Sequence, residues 1–289
     1  MKKEEQKLIL AVLIVLYRKA SQDSVALQSL LAQKVLLDGE GIDLQVHVWN
    51  NSPGLAQPSP GARWYEADNQ SLSAIYNHVA ADAFANGVEL FMISDDDTNY
   101  SNVSLLHCLE QIEQVRNSAD GNQIGVYLPR MMSNNQLVSP GSRWLFKGRL
   151  TPSAKPGVVP SKNLLGINSG LIFTKACFEK MLPFYDERLR FYATDSNFFI
   201  RYEKVFPKAY LLDVTIAHDL SEHSADTPAR ALFRFEEMVR GLRISFESHS
   251  LAVQVLLNIY LSYAAVRKAL AYRRPSFLKA LFFNREMPK

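Results

Sequence analysis

The sequence predicts an α/β protein with a mainly parallel central sheet, followed by a C-terminal helical extension. Apolar runs of strand length alternate with segments of helical periodicity up to about residue 216, which is the pattern of a parallel sheet. From Pro228 onward the pattern is helical to the end. We therefore expect an α/β domain at residues 1–227 and the extension at 228–289.

Composition and charge narrow the class of protein. The chain of 289 residues is 47% hydrophobic, which is ample for a large core. Residues 267–289 carry seven Lys or Arg and one acid, whereas residues 1–266 carry 25 basic and 28 acidic side chains. Because the body of the protein is not basic, we expect no nucleic-acid partner.

Cysteine usage and the N-terminal segment suggest a cytoplasmic protein. Cys108 and Cys177 stand far apart without CxxC spacing, so neither a disulfide framework nor a zinc site is indicated. The apolar run at residues 8–17 follows a charged lead, but acids in the lead and the lack of a small-residue cleavage pattern favour a buried first strand over a signal peptide.

The first half of the chain predicts three strands and two helices in order, with a short strand between. Residues 8–16 form a continuous Leu, Ile and Val run, typical of a strand covered on both faces. A helix at 24–37 and an alternating strand at 43–49 complete a βαβ unit. A short strand near 63–66 precedes a helix that we expect to begin with Asn69 as N-cap, and residues 88–93 return as the central strand.

The second half predicts a helix at 101–115, a strand at 123–129, an aromatic helix at 194–202 and a strand at 208–216. Residues 130–162 are different, because they are rich in Pro and Gly and hold Trp144 among basic residues. We expect a flexible loop over the site, and the alternative is a structural excursion that covers a sheet edge.

Three consecutive carboxylates, Asp95, Asp96 and Asp97, follow the central strand and mark the candidate site. Open α/β sheets bind ligands at the carboxyl ends of their strands. Burying three like charges without compensation is costly, so the triplet should lie at the surface or meet a cation. We expect Asp95 and Asp97 to hold a divalent metal on a diphosphate, and the alternative is a solvated turn.

Polar side chains follow the other predicted strands. Asn50 and Asn51 open a turn-rich loop, where their amides either contact a nucleoside or only form the turn. Asn77 lies two turns beyond Asn69 and could present a second amide to this loop. Asp195 falls at the start of the aromatic helix, where the helix dipole stabilises its ionised form, although an ordinary N-cap gives the same pattern.

Two further features lie late in the chain. His218 directly follows an apolar strand and is a candidate metal ligand, although a lone histidine more often has a structural role. The final segment combines basic residues with leucines and phenylalanines, which suits an anionic membrane surface. The alternatives for that segment are a core-packing helix with a basic end and a homodimer contact.

The order of these motifs resembles the family 2 glycosyltransferases of the GT-A fold, over about residues 8–224. The motifs are the Asn-Asn loop, the Asn-x-x-Leu-x-Ala-x-x-Asn helix, Asp-Asp-Asp-Thr, Asn-Ser-Gly and Thr-Asp-Ser. The likeness is greatest to bacterial, rhamnosyltransferase-like members that build surface polysaccharides. It implies a three-layer sandwich in which residues 1–98 bind a nucleotide sugar and residues 99–227 bind the acceptor.

The resemblance also implies an activity and a set of site residues. It implies inverting transfer from a UDP- or dTDP-linked sugar to a glycan or lipid-linked saccharide, with Mg²⁺ or Mn²⁺, in the cytoplasm or on the inner face of the cell membrane. By position, it places Tyr17, Asn50, Asn51, Asn69, Asn77 and Asp95 at the nucleotide sugar, Asp95, Asp97 and His218 at the metal, Asn168, Ser169 and Gly170 on the sugar and acceptor side, and Asp195 as the catalytic base. To these we add Asp96 on the nucleotide side and Trp144 on the acceptor side.

Two other classes share parts of this pattern. A nucleotidyltransferase also places acids after a sheet strand, but it usually needs a glycine-rich basic loop after the first strand, and residues 18–22 contain no glycine. A noncatalytic sugar-nucleotide-binding protein would keep the fold and tolerate the loss of Asp195. Family members often carry an aspartate where this chain has Asn50 and Asn51, and a second acid where it has Asn197.

Overall fold

A computed structural model describes residues 7–151, 153–217 and 227–282, and it confirms the predicted α/β class with a mainly parallel central sheet. The strands are β1 (Leu8–Leu16), β2 (Ile42–Asn50), β3 (Ala62–Glu66), β4 (Leu90–Asp95), β5 (Ile124–Ser133), β6 (Gln136–Ser139), β7 (Gly141–Trp144), β8 (Lys147–Leu150), β9 (Gly157–Pro160), β10 (Leu164–Leu165), β11 (Ile172–Thr174) and β12 (Lys208–Ala217). The helices are α1 (Val25–Gly39), α2 (Leu72–Ala85), α3 (Leu105–Arg116), α4 (Lys175–Lys180), α5 (Thr194–Tyr202), α6 (Pro228–Phe246), α7 (Leu251–Tyr272) and α8 (Ser276–Lys279).

The central sheet brings the ends of three parallel strands to one edge. Within the described residues it has nine strands in the order β3-β2-β1-β4-β11-β5-β12-β9, with β6 beside β5. Strands β3, β2, β1 and β4 are parallel, and β11 runs antiparallel between β4 and β5. The register pairs Leu16 with Asn50 and Val15 with Asp95, so the carboxyl ends of β1, β2 and β4 lie together.

Helices cover both faces of this sheet, as its apolar strands require. Alternate residues of β1 enter opposite core clusters, with Val12 on the side of α1 and α3 and Leu13 on the side of α2, α4 and α5. Each cluster contains one of the two free, buried cysteines, Cys108 in the first and Cys177 in the second. The sheet is therefore buried on both faces, which explains why its strands read as continuous apolar runs.

Helix α2 begins later than the sequence predicts. Its N-cap is Ser71, whose side chain accepts a hydrogen bond from the Ala74 N–H. Asn69 lies outside the helix at φ 29°, and its N–H donates to the Asn51 carbonyl. The expectation that Asn69 is the cap was wrong because both residue types cap helices well, and the adjacent loop uses Asn69.

The Pro- and Gly-rich segment at residues 130–162 consists largely of strands, so its prediction as a flexible irregular loop was wrong. Strands β7, β8 and β10 form a small three-stranded sheet, and β9 extends the central sheet by pairing with β12. Several of the described glycines lie within these short strands, where the chain approaches its neighbours closely. At Gly141, for example, an added Cβ would lie 2.8 Å from the Arg149 carbonyl oxygen. The alternative of an excursion that covers a sheet edge fits better.

The C-terminal helices form a third core cluster that is joined to α5. Phe235, Leu257 and Phe277 are buried in this cluster together with Ile200 from α5. Below it, the Asn197 amide donates to the Ser245 hydroxyl of α6 at 3.0 Å. None of the helices within the described ranges is long and apolar enough to cross a bilayer. Of the predicted tail, residues 283–289 lie outside the described residues.

Candidate functional site

The candidate site lies at the edge where β1, β2 and β4 end. The chain leaves β1 for β2 on one side and later returns to β4 on the other side, so β1 and β4 flank a topological switch point, where open α/β sheets bind ligands. Tyr17, which follows β1, is exposed here, and the Arg18 guanidinium lies 5.1 Å from its ring centroid. The end of β4 delivers Asp95 to the same edge.

Asp95 is the most perturbed carboxyl group of the site. Its backbone N–H donates to the Ser169 hydroxyl at 2.9 Å, and that hydroxyl also contacts the Thr98 hydroxyl at 2.7 Å. Burial, and then the negative charges of Asp97, Asp96 and Asp195, raise the pKa of Asp95 to about 7. A positive charge at this position would therefore be strongly favoured.

The other two carboxylates of the triplet have different surroundings. Asp96 forms an ion pair of 2.7 Å with Lys19, and its carbonyl accepts hydrogen bonds from the Ala26 N–H and the Ser24 hydroxyl at the start of α1. Asp97 is exposed, and within the described part of the chain its carboxylate has no hydrogen bond or ion pair. Asp96 thus anchors the turn, while Asp97 presents its charge to solvent.

Asp95 and Asp97 fit a divalent cation. Carboxylate oxygens are the ligands that Mg²⁺ and Mn²⁺ prefer, and a cation would reverse the like-charge repulsion that raises the Asp95 pKa. In the part of the chain that the structure describes, no three His, Cys, Asp or Glu side chains are grouped to hold an ion by themselves. Magnesium commonly binds through one or two carboxylates together with substrate phosphates. His218, the third predicted ligand, lies outside the described residues.

Asn50 and Asn51 lie at the start of the loop, as predicted, and their buried side chains form hydrogen bonds with nearby residues of the chain. The Asn50 amide donates to the Glu66 carboxylate at 3.0 Å. The Asn51 amide donates to the Gln70 carbonyl at 3.0 Å and accepts from the Gln70 N–H at 2.7 Å. These bonds fix the loop beside β2, so the two amides determine the shape of this side of the site.

Asn77 lies on α2 but contacts a different part of the chain from Asn51. Its amide nitrogen donates to the Tyr185 carbonyl and to the Glu187 carboxylate, each at 2.9 Å, and its amide oxygen accepts from the Tyr185 N–H at 2.7 Å. Asn69, exposed before the helix, does not share its face. The two asparagines predicted to act together are therefore separate, and Asn77 fastens the segment around Tyr185.

The segment at residues 168–170 connects the acidic turn to the start of α5. The buried Asn168 amide donates to the Thr194 hydroxyl at 3.0 Å and accepts from the Tyr185 hydroxyl at 2.9 Å. Gly170 has φ 79°, and an added Cβ would lie 2.8 Å from the Pro129 side chain. With Ser169 bonded to the Asp95 N–H, this segment sets the position of Asp195 relative to Asp95.

Asp195 is the second residue of α5 and lines a small cavity. Its Oδ1 accepts from the Ser196 N–H at 2.6 Å. The cavity has a volume of about 200 Å³ and lies against the β7–β8 hairpin, which contributes Arg149. The Arg149 guanidinium lies 4.7 Å from the ring centroid of the exposed Trp144. Residues 168–170 connect Asp195 to Asp95 through hydrogen bonds, and the charge of Asp195 is the last of the causes that raise the Asp95 pKa. We therefore treat the two carboxylates as one candidate site.

Two residues of the site were missed by the sequence interpretation. Tyr185 bonds Asn168 through its hydroxyl, and Lys19 neutralises Asp96. The signal for Lys19 was its place just beyond the first strand, on the side where ligands bind. Tyr185 stands in an aromatic stretch whose pattern gives no such signal. A larger cavity, of about 880 Å³, lies at the opposite edge of the sheet near the start of β1 and has no such cluster of carboxylates.

Fold and site together define a Rossmann-like α/β sandwich with an acidic site at the carboxyl edge of its parallel strands. No family model and no curated protein matches the sequence. Among solved structures, the chain is similar to one described as the crystal structure of A197 from STIV. That match has 15% sequence identity and a TM-score of 0.39 and covers 76% of this chain and 91% of that chain.

Proposed function

We propose that the protein is a metal-dependent inverting glycosyltransferase of the GT-A type, similar to family 2. It would move a sugar from a nucleotide-diphosphate sugar to an acceptor hydroxyl in bacterial polysaccharide or glycolipid synthesis. The observation that carries the proposal is the joint placement of Asp95 and Asp195, which come from distant parts of the chain and are connected through the hydrogen-bonded segment at residues 168–170.

The nucleotide side of the reaction belongs to the edge formed by β1, β2 and β4. Tyr17 offers an exposed ring for the nucleoside, beside a loop whose shape Asn50 and Asn51 fix. Asp95 and Asp97 would hold the divalent ion, which when bound supplies positive charge to the leaving diphosphate. The Lys19–Asp96 pair keeps the turn that carries both ligands in place.

The acceptor side belongs to the cavity at Asp195. An inverting transfer needs a carboxylate within hydrogen-bonding reach of the acceptor hydroxyl, to take its proton. The Ser196 N–H donates to Asp195 Oδ1 at 2.6 Å and orients the carboxylate that would act as this base. Arg149 lines this cavity, and its guanidinium lies 4.7 Å from the ring centroid of the exposed Trp144; both groups suit a saccharide acceptor.

The proposal is tested with purified protein, a panel of UDP- and dTDP-sugars, and Mg²⁺ or Mn²⁺. We expect one nucleotide sugar to raise the melting temperature only with metal, because its diphosphate and the ion bind together. Asp97→Ala should lose this shift, whereas Asp195→Asn should keep the shift and lose transfer. Asp38→Asn, on the exposed end of α1, is the matched control and should behave as wild type.

Two outcomes would contradict the proposal. Transfer at the wild-type rate by Asp195→Asn would exclude Asp195 as the base. If the wild-type protein binds a nucleotide sugar but neither it nor any variant transfers the sugar, a noncatalytic sugar-nucleotide-binding protein would be favoured.

A further inference from the structure

Helix α7 is apolar on two opposite sides. Its inner side packs into the third core cluster, where Leu257, Leu261 and Ala265 are buried. The outer side, which we call the outer face of α7, is between 47% and 76% exposed. It consists of Leu251, Val255, Ile259, Tyr263, Val266 and Leu270. These residues recur every three or four positions, so they form one stripe along the helix.

An exposed apolar face of this length indicates an interaction surface. A helix that is apolar all round is normally buried, and contiguous exposed apolar patches mark interaction surfaces. Beyond the end of α7, the apolar side chains of Leu278 and Phe282 are also exposed.

The charges around this face identify the partner. Residues 251–282 contain five Lys or Arg and no Asp or Glu, namely Arg267, Lys268, Arg273, Arg274 and Lys279. Of these, Lys268 is directed to the inner side of α7, where its Nζ lies 6.0 Å from the ring centroid of buried Phe235. A second copy of the chain would bring another acid-free segment of the same charge to the face. An anionic lipid surface would instead neutralise these cations while its acyl chains accept the apolar stripe.

We propose that the outer face of α7 docks on the surface of an anionic lipid bilayer, with the helix axis in the plane of the membrane. Its 22 residues give a contact about 33 Å long. The basic residues cluster at the C-terminal end of α7, so that end is the more firmly attached to anionic headgroups.

The β7–β8 hairpin joins α7 to the Asp195 cavity. Phe146, in the β7–β8 hairpin, packs against Tyr260 of α7, with ring centroids 5.7 Å apart. The same hairpin exposes Trp144 and Leu145, and its Arg149 lines the cavity with Asp195. If the proposed function holds, on which this step alone rests, the acceptor is a saccharide carried by a membrane lipid.

Sedimentation with vesicles tests docking without any substrate. We expect the full-length wild-type protein to pellet with phosphatidylcholine vesicles that contain phosphatidylglycerol, and to bind at least tenfold more weakly to phosphatidylcholine alone or at high salt. The double variant Ile259→Glu/Val266→Glu should lose at least tenfold in binding. Val35→Glu, which makes the same apolar-to-acid change at an 84% exposed position on α1, should bind as wild type.

Circular dichroism will show whether the Ile259→Glu/Val266→Glu variant folds. If it does not fold, a second variant that removes positive charge still tests the proposal. Arg273→Gln/Arg274→Gln should weaken binding about tenfold or more and leave the melting temperature unchanged. Unaltered sedimentation of the folded variants would overturn docking through this face. A stable dimer in light scattering that Ile259→Glu dissociates would assign the face to a second copy and also overturn the proposal.

Discussion

Asp95 combines a fixed backbone with a carboxyl group that is costly to ionise. Its N–H is held by Ser169, its neighbour Asp96 is held by Lys19, and the charges of Asp97 and Asp195 act on it through a buried environment. The folded protein consequently binds a proton at Asp95 up to a pH of about 7, whereas an unfolded aspartate releases it near 3.8. This difference makes stability depend on pH in a direction that can be measured.

Asp95→Asn should change that dependence. Between about pH 4 and 7 the folded state binds more protons than the unfolded state, so the contribution of Asp95 to stability is fully present below pH 4 and is lost as the pH rises through 7. Asparagine cannot ionise, so without metal the variant should melt higher than wild type at pH 8 and by a clearly smaller margin at pH 5, where most of the contribution of Asp95 remains. Each kcal/mol of difference corresponds to about 2–4 °C in melting temperature. A difference in melting temperature between variant and wild type that is the same at both pH values would contradict the prediction.

Gly170→Ala should destabilise the protein more than a glycine substitution of the same backbone strain. Gly170 and Gly41 have φ 79° and 77°, so alanine costs about 1–2 kcal/mol at either position. Only at Gly170 would the new Cβ meet Pro129 and Ile216, which adds about 1–3 kcal/mol. Urea denaturation of both variants measures the difference, and equal midpoints would show that the Pro129 contact yields at no cost.

For individual residues, the sequence predicts where a side chain lies in the fold better than it predicts which group that side chain contacts. The ends of β2 and β4 could be predicted from the lengths of their apolar runs, and with them the places of Asn50 and Asp95. The partners of Asn77 could not, because Tyr185 lies 108 residues away and no local pattern records that contact. Where Asn51 directs its amide likewise depends on a loop that closes only in the folded chain.

The β7–β8 hairpin is held in place by a shielded ion pair. Arg143 bonds Glu203 at 2.7 Å, their side chains are only 12% and 17% exposed, and Glu203 also accepts from the Asn163 N–H at 2.6 Å. The Arg143 guanidinium lies over the Phe246 ring of α6. These contacts join strand β7, the loop at Asn163 and helix α6 at one point. The sequence did not predict this junction, because the many prolines and glycines of the segment are typical of an irregular loop.

Removing one partner of this pair should be costly. Glu203→Ala leaves the Arg143 guanidinium buried without its carboxylate, so we expect a loss of about 3–5 kcal/mol in the free energy of unfolding. Asp38→Ala, which breaks the exposed Lys7–Asp38 pair, should leave stability essentially unchanged. Chemical denaturation compares the two variants. An equally small loss in the free energy of unfolding for both variants would mean that the Arg143 guanidinium becomes hydrated when Glu203 is removed.

Over the whole molecule, the C-terminal helices support the start of α5 from behind. Gly241 of α6 lies against Ala193, which has φ 63° directly before Thr194 and Asp195, and Ser245 bonds Asn197. The division between an α/β domain and a helical extension followed from periodicity, which records the type of each element. It could not record that α6 touches the turn that carries Asp195.

Gly241→Ala should therefore act on the Asp195 turn. The new methyl group would collide with the Ala193 side chain, so the turn must shift. If Asp195 is the base, we expect kcat to fall about tenfold or more while metal-dependent nucleotide binding persists. Gly39→Ala, on α1 with open space around it, is the matched control. Unchanged kcat in Gly241→Ala would separate α6 from catalysis.

The two buried cysteines also make the protein a convenient subject for labelling. Burial raises the pKa of the Cys108 thiol to about 12 and raises that of Cys177 as well, so neither is a reactive thiolate in the folded chain. A cysteine introduced at Ile259 could carry a polarity-sensitive dye in an otherwise native background. Slow modification of Cys108 and Cys177 would then report, separately for each face of the sheet, how often the core opens to solvent.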